Sequence, residues 1–415
     1  MKVLLIGSGA REHALAYSLK SDSSVSELHA APGNPGIKLL ATTHEINPND
    51  PVAVSHLAKS LAIDLVVIGP EAPLVAGVAD AVRALGIACF GPSKAAAQIE
   101  GSKSFAKEIM ASAGVPTAKS LTCATQQEIE RALDAFGAPY VVKNDGLAAG
   151  KGVVVTENRE VALRHALDCG KVVIEEYLDG PEISLFGISD GAHVIGTEPA
   201  QDFKRVFDGD NGPNTGGMGA YSPLPWAPRD IVTRTEREVL LPTIKELAAR
   251  KMPFIGLLYA GLAMTSRGLR VIEFNARFGD PETEALLPRL QTPLAQLLYA
   301  AATGTLAAHP PLKWSTDAAV TVVLASEGYP EQPQIGRVIT GFSPHSSAIT
   351  FHAGTKEQSG ELLSTGGRVL AITGIGSDLA SARLNSYEAI SKISLNGSHY
   401  RKDIALQASI NEKGA

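Results

Sequence analysis

Glu273, Asn275 and Arg277 fall two apart in the run Val-Ile-Glu-Phe-Asn-Ala-Arg-Phe-Gly-Asp-Pro-Glu at 271–282. Apolar Val271, Ile272, Phe274 and Phe278 mark the run as a strand. Alternate residues of a strand share a face, so carboxylate, amide and guanidinium are expected to project together. A carboxylate and an amide oxygen are hard ligands suited to Mg²⁺, which keeps few protein ligands and shares the phosphates of its substrate. A guanidinium beside them can grip a carboxylate or a developing phosphate charge with a two-pronged fork. A solvated strand face would have the same composition, so other segments have to decide.

Phosphate chemistry is suggested twice more. The strand Pro139–Lys143 runs into Asn144–Gly152 and out through a second strand, Val153–Thr156. This is not a P-loop: the glycine spacing before Gly150-Lys151 is one residue short, and Gly152 stands where Ser or Thr should hold Mg²⁺. A glycine-rich hairpin tip carrying lysines can nevertheless fold over a triphosphate; the bland alternative is a mobile hairpin with solvated lysines. Near the start, Gly7-Ser8-Gly9 joins the strand Val3–Ile6 to a helix over Arg11–Lys20. Free N–H groups at such a helix start make an anion site, with Arg11 placed to help. A dinucleotide fingerprint fails, because the third glycine is not clean and the acid about 20 residues on is missing. An exposed first helical turn would also explain Arg11-Glu12-His13. Farther on, the strand Val172–Ile174 leads to acidic residues whose edge could meet an adenine, with Glu182 accepting from ribose hydroxyls. The polar, glycine-rich stretch 201–221 reads as an ordered substrate loop.

These groups need elements to hold them. The chain has 415 residues, enough for roughly two to four domains. Strands alternate with helices up to about residue 100, which implies a parallel α/β layer. Ligands gather at the C-terminal strand ends of such layers, where Ser8, Gly9, Asn34 and Glu71 fall. A helix over Ser102–Ser112 carries Lys103 and Lys107. Another spans Arg237–Arg250, and a strand pair, Gly256–Thr265 with Leu269–Asn275, turns at 266–268. A helix near Leu294–Thr303 and a linker at His309–Leu312 precede a small α+β unit. Its strands are Ala319–Leu324, Ile349–Phe351 and Arg368–Thr373, followed by a helix over Leu379–Lys392. The net charge of −6 and pI near 6.0 make nucleic acid and anionic membranes unattractive partners. Three scattered cysteines give no disulfide framework and fit a reducing cytosol. Neither a signal peptide nor a membrane span is expected.

Several motifs together resemble one family. They are Gly-Ser-Gly-Ala-Arg-Glu-His at 7–13, Ala-Pro-Gly-Asn at 31–34, Gly-Pro-Glu-Ala-Pro-Leu at 69–74 and Gly-Leu-Ala-Ala-Gly-Lys-Gly-Val at 146–153. Gly-Pro-Asn-Thr-Gly-Gly-Met-Gly-Ala-Tyr at 212–221, Arg-Phe-Gly-Asp-Pro-Glu at 277–282, Phe-His-Ala-Gly-Thr at 351–355 and Gly-Gly-Arg-Val-Leu at 366–370 continue the series. In order, and over nearly the whole chain, they resemble the phosphoribosylamine–glycine ligases, or glycinamide ribonucleotide synthetases.

The resemblance implies an α/β chain with the ATP-grasp fold. An N-terminal parallel α/β domain would span 1–101, an ATP-grasp domain 102–313 with a mobile lid at about 115–180, and a small C-terminal α+β domain 314–415. It implies ligation of glycine to 5-phosphoribosylamine with ATP through glycyl phosphate, giving glycinamide ribonucleotide, ADP and phosphate in purine synthesis. Lys103, Lys143 and Gly150-Lys151-Gly152 would hold the ATP phosphates, the Glu176–Leu178 edge adenine, and Glu182 ribose. Glu273 and Asn275 would bind Mg²⁺ or Mn²⁺. Arg277, Asp280 and the loop with Asn214, Thr215 and Gly216 would form the acyl site, with Arg277, Asp280 and Lys151 as the catalytic set. Ser8, Gly9, Arg11, Asn34 and Glu71 would bind the ribose phosphate substrate. A cytoplasmic location and a monomer are compatible with the sequence. Departures from the family pattern are Ser8 and Ala10 in the opening motif, Asn144 after the strand lysine, and a short lid between about 157 and 172. The strand Tyr259–Ala263 also lacks the second metal carboxylate that many ATP-grasp enzymes carry. The rival readings are another ATP-grasp ligase or carboxylase and a non-catalytic nucleotide-binding module.

Overall fold

The structure is a computed structural model, and residues 1–146, 152–342 and 347–413 are described. The chain opens with β1 (Lys2–Gly7), β2 (Glu27–Pro32), β3 (Thr42–Thr43), β4 (Leu65–Ile68) and β5 (Ala88–Phe90). All pair in parallel, in the order β3-β2-β1-β4-β5. Val3, Leu4, Leu5 and Ile6 are fully buried, as a strand covered on both faces requires. The helix Ala10–Ser21 starts directly after Gly9 and buries Ala14, Leu15 and Leu19. Gly7 has φ +131°, and a Cβ there would lie 2.5 Å from Glu12 Cγ. Only glycine lets the turn come that close to the helix.

A second unit contains β6 (Ser120–Cys123), β7 (Tyr140–Asn144), β8 (Val153–Thr156) and β9 (Val172–Glu175), antiparallel in the order β6-β9-β7-β8. The helices Gln126–Phe136 and Arg159–Cys169 cover it. Cys123, Ile129, Leu133, Val142, Ala162, Ala166, Val172 and Ile174 form its own core. A private core lets such a lobe move as a body. The tip of its β7–β8 hairpin, with Gly150 and Lys151, lies outside the described residues.

Next come β10 (Glu182–Asp190), β11 (Val194–Gly196), β12 (Gln201–Asp202), β13 (Arg205–Phe207), β14 (Asn211–Asn214), β15 (Gly219–Ser222), β16 (Ile255–Thr265) and β17 (Gly268–Asn275). The strands β11-β10-β16-β17 form an antiparallel sheet. The stretch 201–221, expected as a loop, is instead mostly short strands, with β13 and β14 paired as a hairpin. The helix expected over Arg237–Arg250 starts earlier and is broken into Ile231–Thr235, a π turn Glu236–Leu240 and Leu241–Ala249. Pro242 has no N–H to return to the preceding turn, and the widened turn sits over that gap.

The last strands are β18 (Ala318–Ala325), β19 (Val338–Thr340), β20 (Ala348–His352), β21 (Thr355–Gln358), β22 (Glu361–Ser364), β23 (Arg368–Gly376) and β24 (Ser394–Leu395). A five-stranded sheet runs β12-β15-β18-β23-β20, so two strands from before residue 223 join three from after 317. The helix Leu379–Ile390 packs on it, burying Leu379, Ala382 and Ile390. No helix among the described residues is long and apolar enough to cross a membrane.

Candidate active site

Strand β17 does not carry all three polar residues that its spacing promised. Its pairing with β16 slips by one residue between Gly261 and Leu262, and the strand ends at Asn275. Arg277 lies two residues beyond that end. The slip leaves Ile272 unpaired, ahead of Glu273, and Glu273 and Asn275 keep their alternation opposite Gly261 and Tyr259; it is the end of the strand that removes Arg277 from that face. Glu273 Oε2 stands 3.4 Å from Lys103 Nζ. Burial pushes the Glu273 carboxyl up, but Lys103, Lys204 and Lys143 outweigh it and hold the group at about 2. An ionised carboxylate with the Asn275 amide two residues on is a hard-oxygen donor pair. Among the described residues, no three His, Cys, Asp or Glu side chains are grouped to hold a metal. A divalent ion here would therefore complete its shell with phosphate and water oxygens, as Mg²⁺ ordinarily does. The donor set fits that ion.

Strand β16 carries no acid, as expected, yet acids reach the region from elsewhere. Tyr259 OH and Ser184 Oγ both donate to Glu282 Oε1, at 2.6 and 2.8 Å. Lys204 pairs with Glu182 at 2.5 Å. Burial raises the Asp202 carboxyl to about 7; Lys204 opposes this, while Glu282, Glu182 and Glu273 add to it. The Glu182 carboxylate, expected at a ribose, is held by Lys204 in this structure.

The lysines converge. Lys143 Nζ donates to Ile272 O at 2.8 Å, next to Glu273 in the chain. Lys143 also pairs with Glu175 at 2.9 Å, and Lys107 reaches the same carboxylate at 2.9 Å. Glu176 accepts from the Lys119 N–H at 3.0 Å and pairs with Arg267 at 3.3 Å. Its side chain is thus engaged, and β9 runs straight into it and half-buried Leu178. Gly152 accepts from the Asn144 N–H at 2.7 Å, closing the root of the hairpin.

A second cluster forms where the first sheet meets the segment 276–284. Arg277 Nε lies 3.3 Å from Glu100 Oε1 and 3.5 Å from Glu71 Oε2. Its N–H makes no hydrogen bond, so the attraction to both acids is coulombic. Burial works against the Arg277 charge, but Glu100 and Glu71 outweigh it and raise the pKa. Arg11 donates from Nε to Glu12 at 2.5 Å and from Nη1 to Phe278 O at 3.2 Å. Glu12 Oε2 accepts from the Gly9 N–H at 2.6 Å. Asp280 pairs with Arg368 of β23 at 3.0 Å. Arg368 Nη1 also donates to Gly216 O at 2.8 Å and Asp280 O at 2.9 Å, and Tyr329 OH accepts from the Gly216 N–H at 3.1 Å. Thr215 Oγ1 accepts from the Gly217 N–H at 2.9 Å. Gly217, at φ +115°, lies so close to Pro281 that a Cβ would approach Cδ to 2.4 Å.

The two clusters meet at Glu100. Its Oε2 accepts from the Ala276 N–H at 2.7 Å, between Asn275 and Arg277. Ser8, Gly9, Arg11, Glu71, Arg277, Asp280 and Thr215–Gly216 thus gather at one end, and Lys103, Lys143, Glu273 and Asn275 at the other. Asn214 closes β14 at the entrance to that turn. Asn34 is turned to structural work: its Nδ2 donates to Ser8 O at 2.9 Å and His352 O at 2.7 Å, while its Oδ1 accepts from the Ile37 N–H at 2.9 Å.

Sequence reasoning gave no individual role to Glu100, Lys204, Glu282 or Arg368. Three of them had a signal: Lys204 lies in the stretch read as a substrate loop, Glu282 ends Arg-Phe-Gly-Asp-Pro-Glu, and Arg368 lies in Gly-Gly-Arg-Val-Leu. We expect Arg368→Met to raise the KM for a carboxylate substrate held at this cluster at least tenfold and leave the KM for a nucleotide held at the lysine cluster within about twofold. Steady-state kinetics with each substrate varied in turn checks this; equal changes in both would show a general loss of structure.

A lobe with its own core stands beside an oxygen-donor strand and an arginine cluster, and the matched family models make the chain an ATP-grasp enzyme. Family models match in succession: the phosphoribosylglycinamide synthetase N domain over residues 1–100, its ATP-grasp (A) domain over 101–283 and its C domain over 319–407. A phosphoribosylamine–glycine ligase of Streptomyces coelicolor is 59% identical, covering 98% of this chain and 99% of its own. One from Leifsonia xyli is 55% identical, covering 98% and 100%. The crystal structure of the Thermotoga maritima phosphoribosylamine–glycine ligase superposes with a TM-score of 0.85 at 32% identity, over 98% of this chain and 100% of that one. A Hydrogenobacter thermophilus biotin carboxylase domain in complex with MgADP and bicarbonate shares the fold, with a TM-score of 0.73 at 16% identity over 96% and 91%. The chain belongs to the phosphoribosylglycinamide synthetase family. Its activity is the ATP-dependent glycine ligation step of purine biosynthesis.

Proposed function

We propose that this chain joins glycine to 5-phosphoribosylamine in two steps within the two adjoining clusters. The glycine carboxylate attacks the γ-phosphorus of ATP, releasing ADP and leaving glycyl phosphate. The amine of phosphoribosylamine then attacks the activated carbonyl; phosphate departs and the nitrogen sheds a proton. Phosphoryl transfer of this kind needs alignment and charge neutralisation more than a protein nucleophile. Lys103, Lys143 and Lys151, with Gly150 and Gly152, hold the phosphates. Leu178 and the backbone at Glu176 meet adenine, and Glu182 turns from Lys204 to the ribose. Glu273 and Asn275 hold Mg²⁺ or Mn²⁺, which supplies charge neutralisation at the phosphates. Arg277 and Asp280, with Asn214, Thr215 and Gly216, position the acyl group. Ser8, Gly9, Arg11 and Glu71 receive the ribose phosphate, and Asn34 shapes their turn. Closure of the lid over the site keeps water from the acyl phosphate.

The observation that carries this reading is the continuity of the site: Glu100 touches the backbone between Asn275 and Arg277, so phosphate and acyl ends abut. We further propose domains at 1–101, 102–313 and 314–415, a monomer, and a cytoplasmic location; the net acidic charge supports small-molecule substrates over nucleic acid or membrane. A coupled assay of ADP release tests the reaction. ADP should appear in quantity only with both glycine and phosphoribosylamine present; steady ADP release with either one omitted contradicts the proposal.

A further inference from the structure

Glu175 closes β9 at the root of the lid, with only 3% of its side chain exposed. Its two oxygens are divided between two ammonium groups. Oε1 lies 2.9 Å from Lys107 Nζ and Oε2 lies 2.9 Å from Lys143 Nζ. The three charges come from three elements: Lys143 from β7, Glu175 from β9 and Lys107 from the helix Lys103–Ala113.

The remaining hydrogen bonds lead to the donor strand. Lys143 reaches Ile272 O, and Ile272 immediately precedes Glu273. Lys107 donates to Thr117 Oγ1 at 2.9 Å and Ala118 O at 3.0 Å. Thr117 Oγ1 in turn donates to Val271 O at 2.6 Å. One carboxylate thus ties two lid strands, a body helix and β17 together. Without it, two buried ammonium groups would face each other with only the more distant Glu176 and Glu273 to balance them, and a buried charge that loses its partner is strongly destabilised.

We propose that Glu175 is a positioning residue for the nucleoside triphosphate, holding the Lys143 ammonium at the junction of lid and donor strand where phosphates arrive. The inference rests on the reading of Lys143 as a phosphate ligand. Two ammonium groups against one carboxylate leave one net positive charge, so the triad still attracts a phosphate. The carboxylate decides where that charge stands.

ADP and adenosine separate this role from plain scaffolding, because only ADP presents phosphates. Calorimetric titration of each is to be run on the wild type, Glu175→Gln, Lys143→Met and the double variant. Glu175→Gln should weaken ADP about tenfold and leave adenosine within about twofold. In the Lys143→Met background it should have no further effect on ADP. Equal weakening of ADP and adenosine overturns the proposal in favour of a scaffold. A full Glu175→Gln effect that persists without Lys143 also overturns it. If Lys143→Met alone leaves ADP affinity unchanged, the phosphate role of Lys143 falls, and the inference with it. Should Glu175→Gln fail to fold, Glu175→Asp keeps the charge but draws it back by one methylene. It should weaken ADP about threefold and spare adenosine, and no selectivity there counts against the proposal equally.

Discussion

Glu273→Gln is expected to lower turnover by about two orders of magnitude, the scale on which losing one preorganised charge-stabilising group is felt. Glutamine keeps the size and one acceptor oxygen but removes the charge that a dication needs. In the wild type that charge is secure, since three lysines hold the carboxyl at about 2 despite burial. Activity should therefore not fall through protonation of Glu273 until well below pH 4. The loss in the variant should be partly recovered by raising the Mg²⁺ concentration, because occupancy rather than geometry is impaired. The measurement is steady-state ADP release against Mg²⁺ for both proteins. Near-normal turnover of Glu273→Gln at ordinary Mg²⁺ would remove the residue from the metal site.

Glu284→Gln is expected to stabilise the protein, and by more at higher pH. Glu284 is fully buried in the helix Glu282–Leu286, and neither carboxylate oxygen has a hydrogen-bond partner. Burial pushes its carboxyl well above the usual range and Asp280 adds to this, against the weaker pull of Arg368 and Arg11. The sign follows from proton counting. Below about pH 4.3 folded and unfolded chains both carry the proton. Above it the unfolded chain releases the proton and the folded chain keeps it, so stability falls by about 1.4 kcal/mol per pH unit. The fall stops once the folded-state pKa is passed. Glutamine has the same shape and nothing to titrate. Thermal melts should show a Tm advantage for the variant that widens as pH rises above about 4.3 until the folded-state pKa is passed. A constant gap over that range would mean that Glu284 is ionised in the folded protein.

Much of the scaffold was legible because apolar runs and turn residues act locally. The buried parallel strand Leu65–Ile68 and the hairpin strand Val153–Thr156 have the bounds that their β-branched runs suggested. The turn expected at 266–268 is found one residue shorter, at Ser266-Arg267, with Gly268 already opening the second strand. What was not legible depends on distant pairing. The stretch 201–221 looks like a loop because its strands are short and rich in glycine, and β15, which pairs with β12 on one side, takes its other partner from a strand that begins at Ala318. Arg277 was assigned to a strand face because the alternating pattern runs on past Asn275, where the strand pairing ends. At the site, residue types were readable and partners were not. Glu100, Glu175 and Arg368 are common residues whose meaning comes from what folds against them.

The five-stranded sheet that takes β12 and β15 from the middle of the chain has a consequence for inheritance. Strand β15 sits inside that sheet, between β12 and β18. A recombination that exchanged only the last third for a foreign one would separate β18 from the strand whose hydrogen bonds it needs. The graft would present an open edge, which invites pairing with other chains. The first five strands, by contrast, complete their sheet among themselves. A cut near residue 313 therefore divides a sheet, whereas a cut near residue 100 divides none and severs side-chain contacts at the site.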